Sequence, residues 1–311
     1  MCGVCLCPMG PSRMGPTQTC VTNNNRPFDL GPRGPVTRFR RNFVSCGPCL
    51  HIAFGCGMKF NGVDAAHSKH SVYRQGYLHI LTTRDGNNKI LPLAWANCET
   101  ESADTYKFFA EQVHRAGLSR YLSANSVTFS DRQKGLEAFH NRFNSRIGRC
   151  LNHIKKNCRV KLRGTGQTFQ DCTVAALQAA DTEEKYYEQL EVLRQESARA
   201  AQYFDEEVQH DQVYQYAFNK NGVVTHGHTT SNIAESANWF LDKARYEAPY
   251  RRNDRIAVWL GKEFAKRTDE MRKWVDKGHF LTPYARNLFA TEVCARGPMW
   301  ARNVPRGPMC P

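Results

Sequence analysis

Three acidic residues stand where chemistry could gather. Asp64 closes the short apolar run at 57–64 (GMKFNGVD), Asp131 follows the run Ser126–Phe129, and Glu235 lies on a predicted helix that Ser231 or Asn232 could cap. The first two are 67 positions apart and the second two 104, yet strand ends distant in sequence converge in an α/β sheet. Three carboxylates at one point repel each other unless a cation neutralises them. Oxygen ligands of this kind suit Mg²⁺ or Mn²⁺. Two such ions about 3.5–4 Å apart activate a water or a DNA 3′-hydroxyl and stabilise the leaving oxygen. On that reading Asp64 bridges both ions, while Asp131 and Glu235 each serve one. Spacing alone leaves the ordinary alternative open, in which all three are solvated surface acids.

Other groups could support such a site. Cys150 and His153 form a C-x2-H pair on a predicted helix, three residues apart and so on one face. They could anchor that helix behind the acids or touch DNA, or be a satisfied histidine beside a small buried thiol. Two ligands do not make a structural zinc site. His226 and His228 alternate in the loop 221–230 and could contact phosphate or water. Lys155, Lys156, Arg159, Lys161 and Arg163 are candidate contacts to a phosphate backbone. Asp131-Arg132-Gln133-Lys134-Gly135 contains a glycine, but the G-x4-G-K-[S/T] phosphate loop is absent, so nucleotide hydrolysis has no support.

The elements that must position these residues divide the chain. Residues 1–50 carry seven prolines and six arginines against one acid, which predicts a disordered basic arm. From 51 to 149 the pattern is α/β. Tyr77–Leu81 and Lys89–Ala96 read as strands joined by the turn Asp85-Gly86-Asn87-Asn88. Residues 101–117 put Tyr106, Phe109 and Val113 on one helical face, and a helix follows Asp131. Residues 150–227 read as an all-helical insertion. Residues 228–278 complete the core in helices, one over about 255–276 packing through Ile256, Trp259, Leu260, Phe264 and Trp274. Residues 279–311 read as a loose tail.

Charge is uneven along this plan. The net charge of +14 favours a polyanionic partner. Residues 141–163 hold eight Lys or Arg and no acid, whereas residues 181–211 hold ten acids and three bases. The first stretch suits phosphate contact, and the second would repel DNA. No apolar run approaches the roughly 20 residues of a membrane span. The N-terminus, MCGVCLCPMGPSRMG, has no positive start followed by an apolar stretch, so no secretory leader is expected. The thirteen cysteines are then expected to be reduced. Cys2 with Cys5 and Cys46 with Cys49 form C-x2-C pairs, but a tetrahedral zinc site needs four converging ligands.

Four blocks in order resemble the catalytic core of Mutator-like element (MULE) transposases: Val63-Asp64-Ala65-Ala66-His67; Ile90-Leu91-Pro92-Leu93-Ala94-Trp95-Ala96; Ser130-Asp131-Arg132-Gln133-Lys134-Gly135-Leu136 with Cys150-Leu151-Asn152-His153; and Thr230-Ser231-Asn232-Ile233-Ala234-Glu235-Ser236. The likeness covers about residues 57–275. It implies an RNase H-like catalytic core interrupted by an all-helical insertion, with poorly ordered termini. It implies Asp64, Asp131 and Glu235 as catalytic and metal-binding acids using Mg²⁺ or Mn²⁺. Arg132, Lys134 and Arg149 join the basic residues above as candidate DNA contacts, and Cys150, His153, His226, His228 and Asn232 are candidate supporting residues. The activity implied is transposition by cleavage and strand transfer of double-stranded DNA in the nucleus, by a self-associating protein. An N-terminal zinc-containing DNA-binding module and a C-terminal SWIM-type motif, common in full-length relatives, have no convincing copy here. A catalytically silent, truncated or host-adopted derivative that only binds DNA is therefore the alternative expectation.

Overall fold

The computed structural model describes residues 19–29, 35–123, 126–130, 136–223, 225, 237 and 241–296. Within them one seven-stranded sheet is built from β1 (Thr19–Asp29), β2 (Pro35–Cys46), β3 (Phe60–His67), β4 (Tyr77–Arg84), β5 (Ile90–Cys98), β6 (Val127–Ser130) and β7 (Arg146–Arg149). Its spatial order is β1-β2-β5-β4-β3-β6-β7. The pairs β1–β2, β2–β5, β5–β4 and β4–β3 are antiparallel; β3–β6 and β6–β7 are parallel.

The β4–β5 hairpin closes through an Asx turn. Asp85 Oδ1 accepts from the backbone N–H of Asn87 and of Lys89, each at 2.9 Å, and Asn88 takes the left-handed conformation at φ 61°. Parallel strands need a longer return. Helix α2 (Ala103–Arg115) carries the chain from β5 to β6, and α3 (Leu136–Phe143) from β6 to β7. Ser102 starts α2 with a capping box, exchanging hydrogen bonds with Thr105.

Both faces of the sheet are covered. On one, His79 meets Tyr106 of α2 edge-on at 4.6 Å, Phe43 lies 6.0 Å from Phe109, and Phe109 stacks at 5.9 Å on Phe139 of α3. The other face carries α10 (Pro249–Val275), whose Ile256 and Leu260 are buried in the same core. Trp95 Nε1 donates to Asn253 Oδ1 of α10 at 3.0 Å. Asp64 pairs with Ile80 and Ile80 with Trp95, so alternation places Asp64 on the α10 face.

The expectation of a disordered arm over 1–50 needs correction for residues 19–29, which pair with β2 as β1, and for residues 35–50. Here β2 pairs with β5 through Asn42–Ser45, and Phe43 is fully buried. Pro35 starts the strand rather than interrupting it. The basic residues of this stretch are also engaged by protein. Arg41 is buried and holds Glu99 at 2.6 Å together with Asp104, while Arg40 reaches Glu99 at 3.2 Å. Tertiary pairing overrides the proline signal, and Arg40 and Arg41 are engaged in ion pairs.

Beyond β7 the chain turns helical: α4 (Leu151–Lys161), α5 (Asp171–Ala179), α6 (Glu183–Glu196), α7 (Ala198–Gln202) and α8 (Gln215–Lys220). These helices share their own core, from Leu151 and Ile154 to Tyr186, Leu193, Phe204 and Tyr214. The short helix α9 (Asp242–Arg245) precedes α10, and α11 (Pro283–Arg296) follows it. None of the described helices is long and apolar enough to cross a membrane.

Candidate active site

The parallel strands β3, β6 and β7 direct their C-terminal ends the same way. Gly62 pairs with Phe129, and Ser130 with Arg149. Crevices outside the carboxyl ends of parallel strands are where α/β sheets place chemistry. Asp64 follows Gly62 by two residues on the same face, half-buried, with Oδ1 accepting from the Ala65 N–H at 2.9 Å.

The exit of β6 is anchored from two sides. The backbone N–H of Cys150 donates to the Ser130 carbonyl at 3.3 Å. Ser130 Oγ lies 3.3 Å from Nε2 of His140 on α3, and both residues are buried. Burial, with the nearby positive charge of Arg149, pushes the His140 imidazole down to about 3, so it is neutral at physiological pH. His140 was not singled out in the sequence. Its signal was its position beside the apolar pair Phe139 and Phe143.

Cys150 caps α4 and is 1% exposed, and His153 is half-buried on the first turn. The C-x2-H pair therefore sits where β7 meets α4, next to the end of β6. Arg149 donates from Nε to Gln212 Oε1 at 3.0 Å, joining β7 to the helical unit.

A second missed residue holds the end of β3. Arg252 of α10 is fully buried, donating from Nη1 to Asn97 Oδ1 at 2.8 Å and from Nη2 to Ser68 Oγ at 2.6 Å. It also reaches the carbonyls of Ala244, Arg245 and Glu247. Burial lowers its pKa to about 10, still charged at neutral pH. One guanidinium thus locks the strand that carries Asp64 to β5 and to α10. Its position four residues before Ile256 and eight before Leu260 was the periodic signal that it faces inward.

Among the basic candidates the geometry separates two groups. Lys155 and Arg159 both bind Asp171 of α5, at 2.8 and 2.9 Å, and Lys161 pairs with Glu207. Arg159 also lies 5.0 Å over the Phe169 ring. These three tie α4 to the rest of the helical unit. Lys156 and Arg163 are exposed, and Arg163 lines a cavity of about 370 Å³ with Gly164, Gly166 and Phe169.

Asp131, Glu235, Arg132, Lys134, His226, His228 and Asn232 lie outside the described residues. Among the described residues no group of three or more His, Cys, Asp or Glu side chains could hold a metal ion, so none of them completes a ligand set around Asp64. No family model matches the chain, and no curated protein is significantly similar to it.

Proposed function

We propose that this chain carries an RNase H-like core of the Mutator-like transposase type and performs metal-dependent DNA strand cleavage and strand transfer. The observation that carries the reading is the parallel β3–β6 pair, with Gly62 opposite Phe129. An antiparallel meander, then two parallel strands each returned through a helix, is the order an RNase H-like core calls for. The proposal requires Asp131 to lie beside Asp64 and Glu235 to approach both. The four sequence blocks then meet at one end of the sheet.

Carboxylate oxygens suit a hard divalent cation; Mg²⁺ or Mn²⁺ held by Asp64, Asp131 and Glu235 would polarise the scissile phosphate and activate the attacking water or 3′-hydroxyl. The chain's own residues supply position. The Ala65 N–H orients the Asp64 carboxylate. Cys150 and His140 fix the residue that precedes Asp131. Arg252 fixes the end of β3. The net charge of +14 suits double-stranded DNA as the partner, and nuclear location and self-association follow from the same reading.

The test is nicking of supercoiled DNA by the purified protein with Mg²⁺ or Mn²⁺. Wild type should nick, and Asp64→Asn should be slower by about a thousandfold, since metal-ligand loss removes several kcal/mol of transition-state stabilisation. Duplex binding should be unchanged. Equal nicking by both proteins overturns the reading. Duplex binding with no nicking by wild type points instead to the silent, host-adopted derivative.

A further inference from the structure

A separate pair of side chains stands where β2 hands over to α1 (Gly47–Cys56). Cys46 ends β2 and is the N-cap residue of α1, at φ −94° and ψ 111°; Pro48 occupies the first turn and Cys49 the third helical position. Neither cysteine is in a disulfide. Cys46 is half-buried and so reachable, whereas Cys49 is fully buried and packs in the main core.

The two thiols are unequal. A hydrogen bond from the Cys49 thiol lowers Cys46 to about 7 against the opposing effect of burial, and the Cys49 backbone amide adds to the lowering. The positive end of a helix dipole favours a thiolate at this position. That same hydrogen bond, with burial, holds Cys49 well above its ordinary value. The charge of Arg267 opposes this rise. Arg267 itself is fixed by Asp85 at 3.1 Å and by the Ile90 carbonyl at 2.8 Å. One partly accessible sulfur at the N-cap and one sheltered sulfur three residues on, in the first turn of the same helix, are what thiol–disulfide exchange needs. A structural zinc ion needs four ligands, and no third or fourth stands near this pair among the described residues.

We propose that Cys46 and Cys49 form a redox-active dithiol that exchanges with low-molecular-weight disulfides and closes reversibly into an intramolecular disulfide. The Cys46 thiolate attacks one sulfur of the disulfide; its S–S bond breaks, one thiolate leaves, and a mixed disulfide forms on Cys46. Cys49 loses its proton to solvent and attacks the Cys46 sulfur, which releases the second thiolate. The two released thiolates end as thiols, taking up the two protons given up by the protein. Two electrons pass from the protein to the small disulfide, and a dithiol reverses the sequence.

The experiment uses the full chain, reduced and then equilibrated across a series of reduced-to-oxidised glutathione ratios. Thiols are quenched with N-ethylmaleimide and the peptides are mapped by mass. The expected result is a Cys46–Cys49 linked peptide, two hydrogens lighter, that grows with oxidised glutathione and vanishes on adding dithiothreitol. Cys49→Ser should accumulate a glutathione adduct on Cys46, whereas Cys46→Ser should leave Cys49 unmodified. Alkylation of Cys46 should show a midpoint near pH 7. Full alkylation of both cysteines across the whole series, with circular dichroism unchanged, overturns the proposal. So does linkage of Cys46 to a different cysteine, or equal adducts in the two single variants.

Discussion

Gly148 of β7 packs so closely on Phe129 of β6 that a Cβ at position 148 would lie 2.7 Å from the ring. The two are register partners in the parallel pair, and Phe129 is fully buried against Phe60 and Phe218. Only glycine lets β7 close on the strand whose exit leads to Asp131. Gly148→Ala is expected to cost about 1–3 kcal/mol of stability by overpacking. Phe129→Leu in the same protein should recover part of that cost. Urea unfolding of the two single variants and the double variant checks this, and strictly additive losses would refute the contact.

Arg252 gives a sharper prediction about the end of β3. Replacing it with Met keeps the apolar length but strands the acceptors on Asn97 and Ser68 and three carbonyls, all now served by one side chain. Unsatisfied buried acceptors cost about 1–3 kcal/mol each, tempered by rearrangement. Arg252→Met should therefore destabilise by about 3 kcal/mol or more. Arg252→Lys should restore only part, because one ammonium cannot span the same fork. A denaturation midpoint equal to wild type for the Met variant would show that the network is dispensable.

How far such residues can be read in advance depends on what fixes them. The β4–β5 hairpin, α2 and the helical run after 150 are local: a turn sequence and 3.6-residue periodicity mark them, and all were legible. The β2 strand was not, because prolines and arginines dominate its local signal while its stability comes from pairing with β5 and from Glu99 and Asp104, some sixty residues away. β7 was missed for a related reason: Arg146-Ile147-Gly148-Arg149 is four residues long, and only the partner β6 makes it a strand. At the site, Asp64 stood out by type and position. His140 and Arg252 did not, because a polar residue on an inward face declares itself only through its partner.

Two buried histidines predict an acid-sensitive fold. Burial lowers His79 to about 4 and His140 to about 3, against an ordinary value of 6.5. The unfolded chain then binds protons that the folded chain refuses, so stability rises with pH across this window. The contribution is complete above pH 6.5 and is lost as pH falls towards the folded values. Between pH 6.5 and 5 each histidine should remove about 2 kcal/mol, at 1.36 kcal/mol per pH unit. Unfolding free energy measured from pH 7 to 5 should fall accordingly, and His140→Gln should halve the slope. A flat profile would mean that one or both rings take up protons in the folded state.

Positive charge on α4 should act in two distinguishable ways. Lys155 and Arg159 share Asp171, and the Lys155 side chain is only 15% exposed, so their first duty is to join α4 to α5. The Asp171 carboxylate is half-exposed, which limits each pair to about 1 kcal/mol or less. Lys156 and Arg163 project from the same helix and the loop after it into solvent, where a phosphate can reach them. Removing a cation that contacts phosphate lowers the slope of log K against log salt by about 0.9 on duplex DNA. Lys156→Ala and Arg163→Ala are thus expected to flatten the slope by about one each with unchanged stability. Lys155→Ala should lower the urea midpoint slightly and leave the slope nearly intact. Fluorescence anisotropy across a salt series, run beside urea unfolding, separates the two duties. If the Lys155 variant flattens the slope as much as the Lys156 variant, the Asp171 pair opens on DNA and the whole face of α4 belongs to the interface.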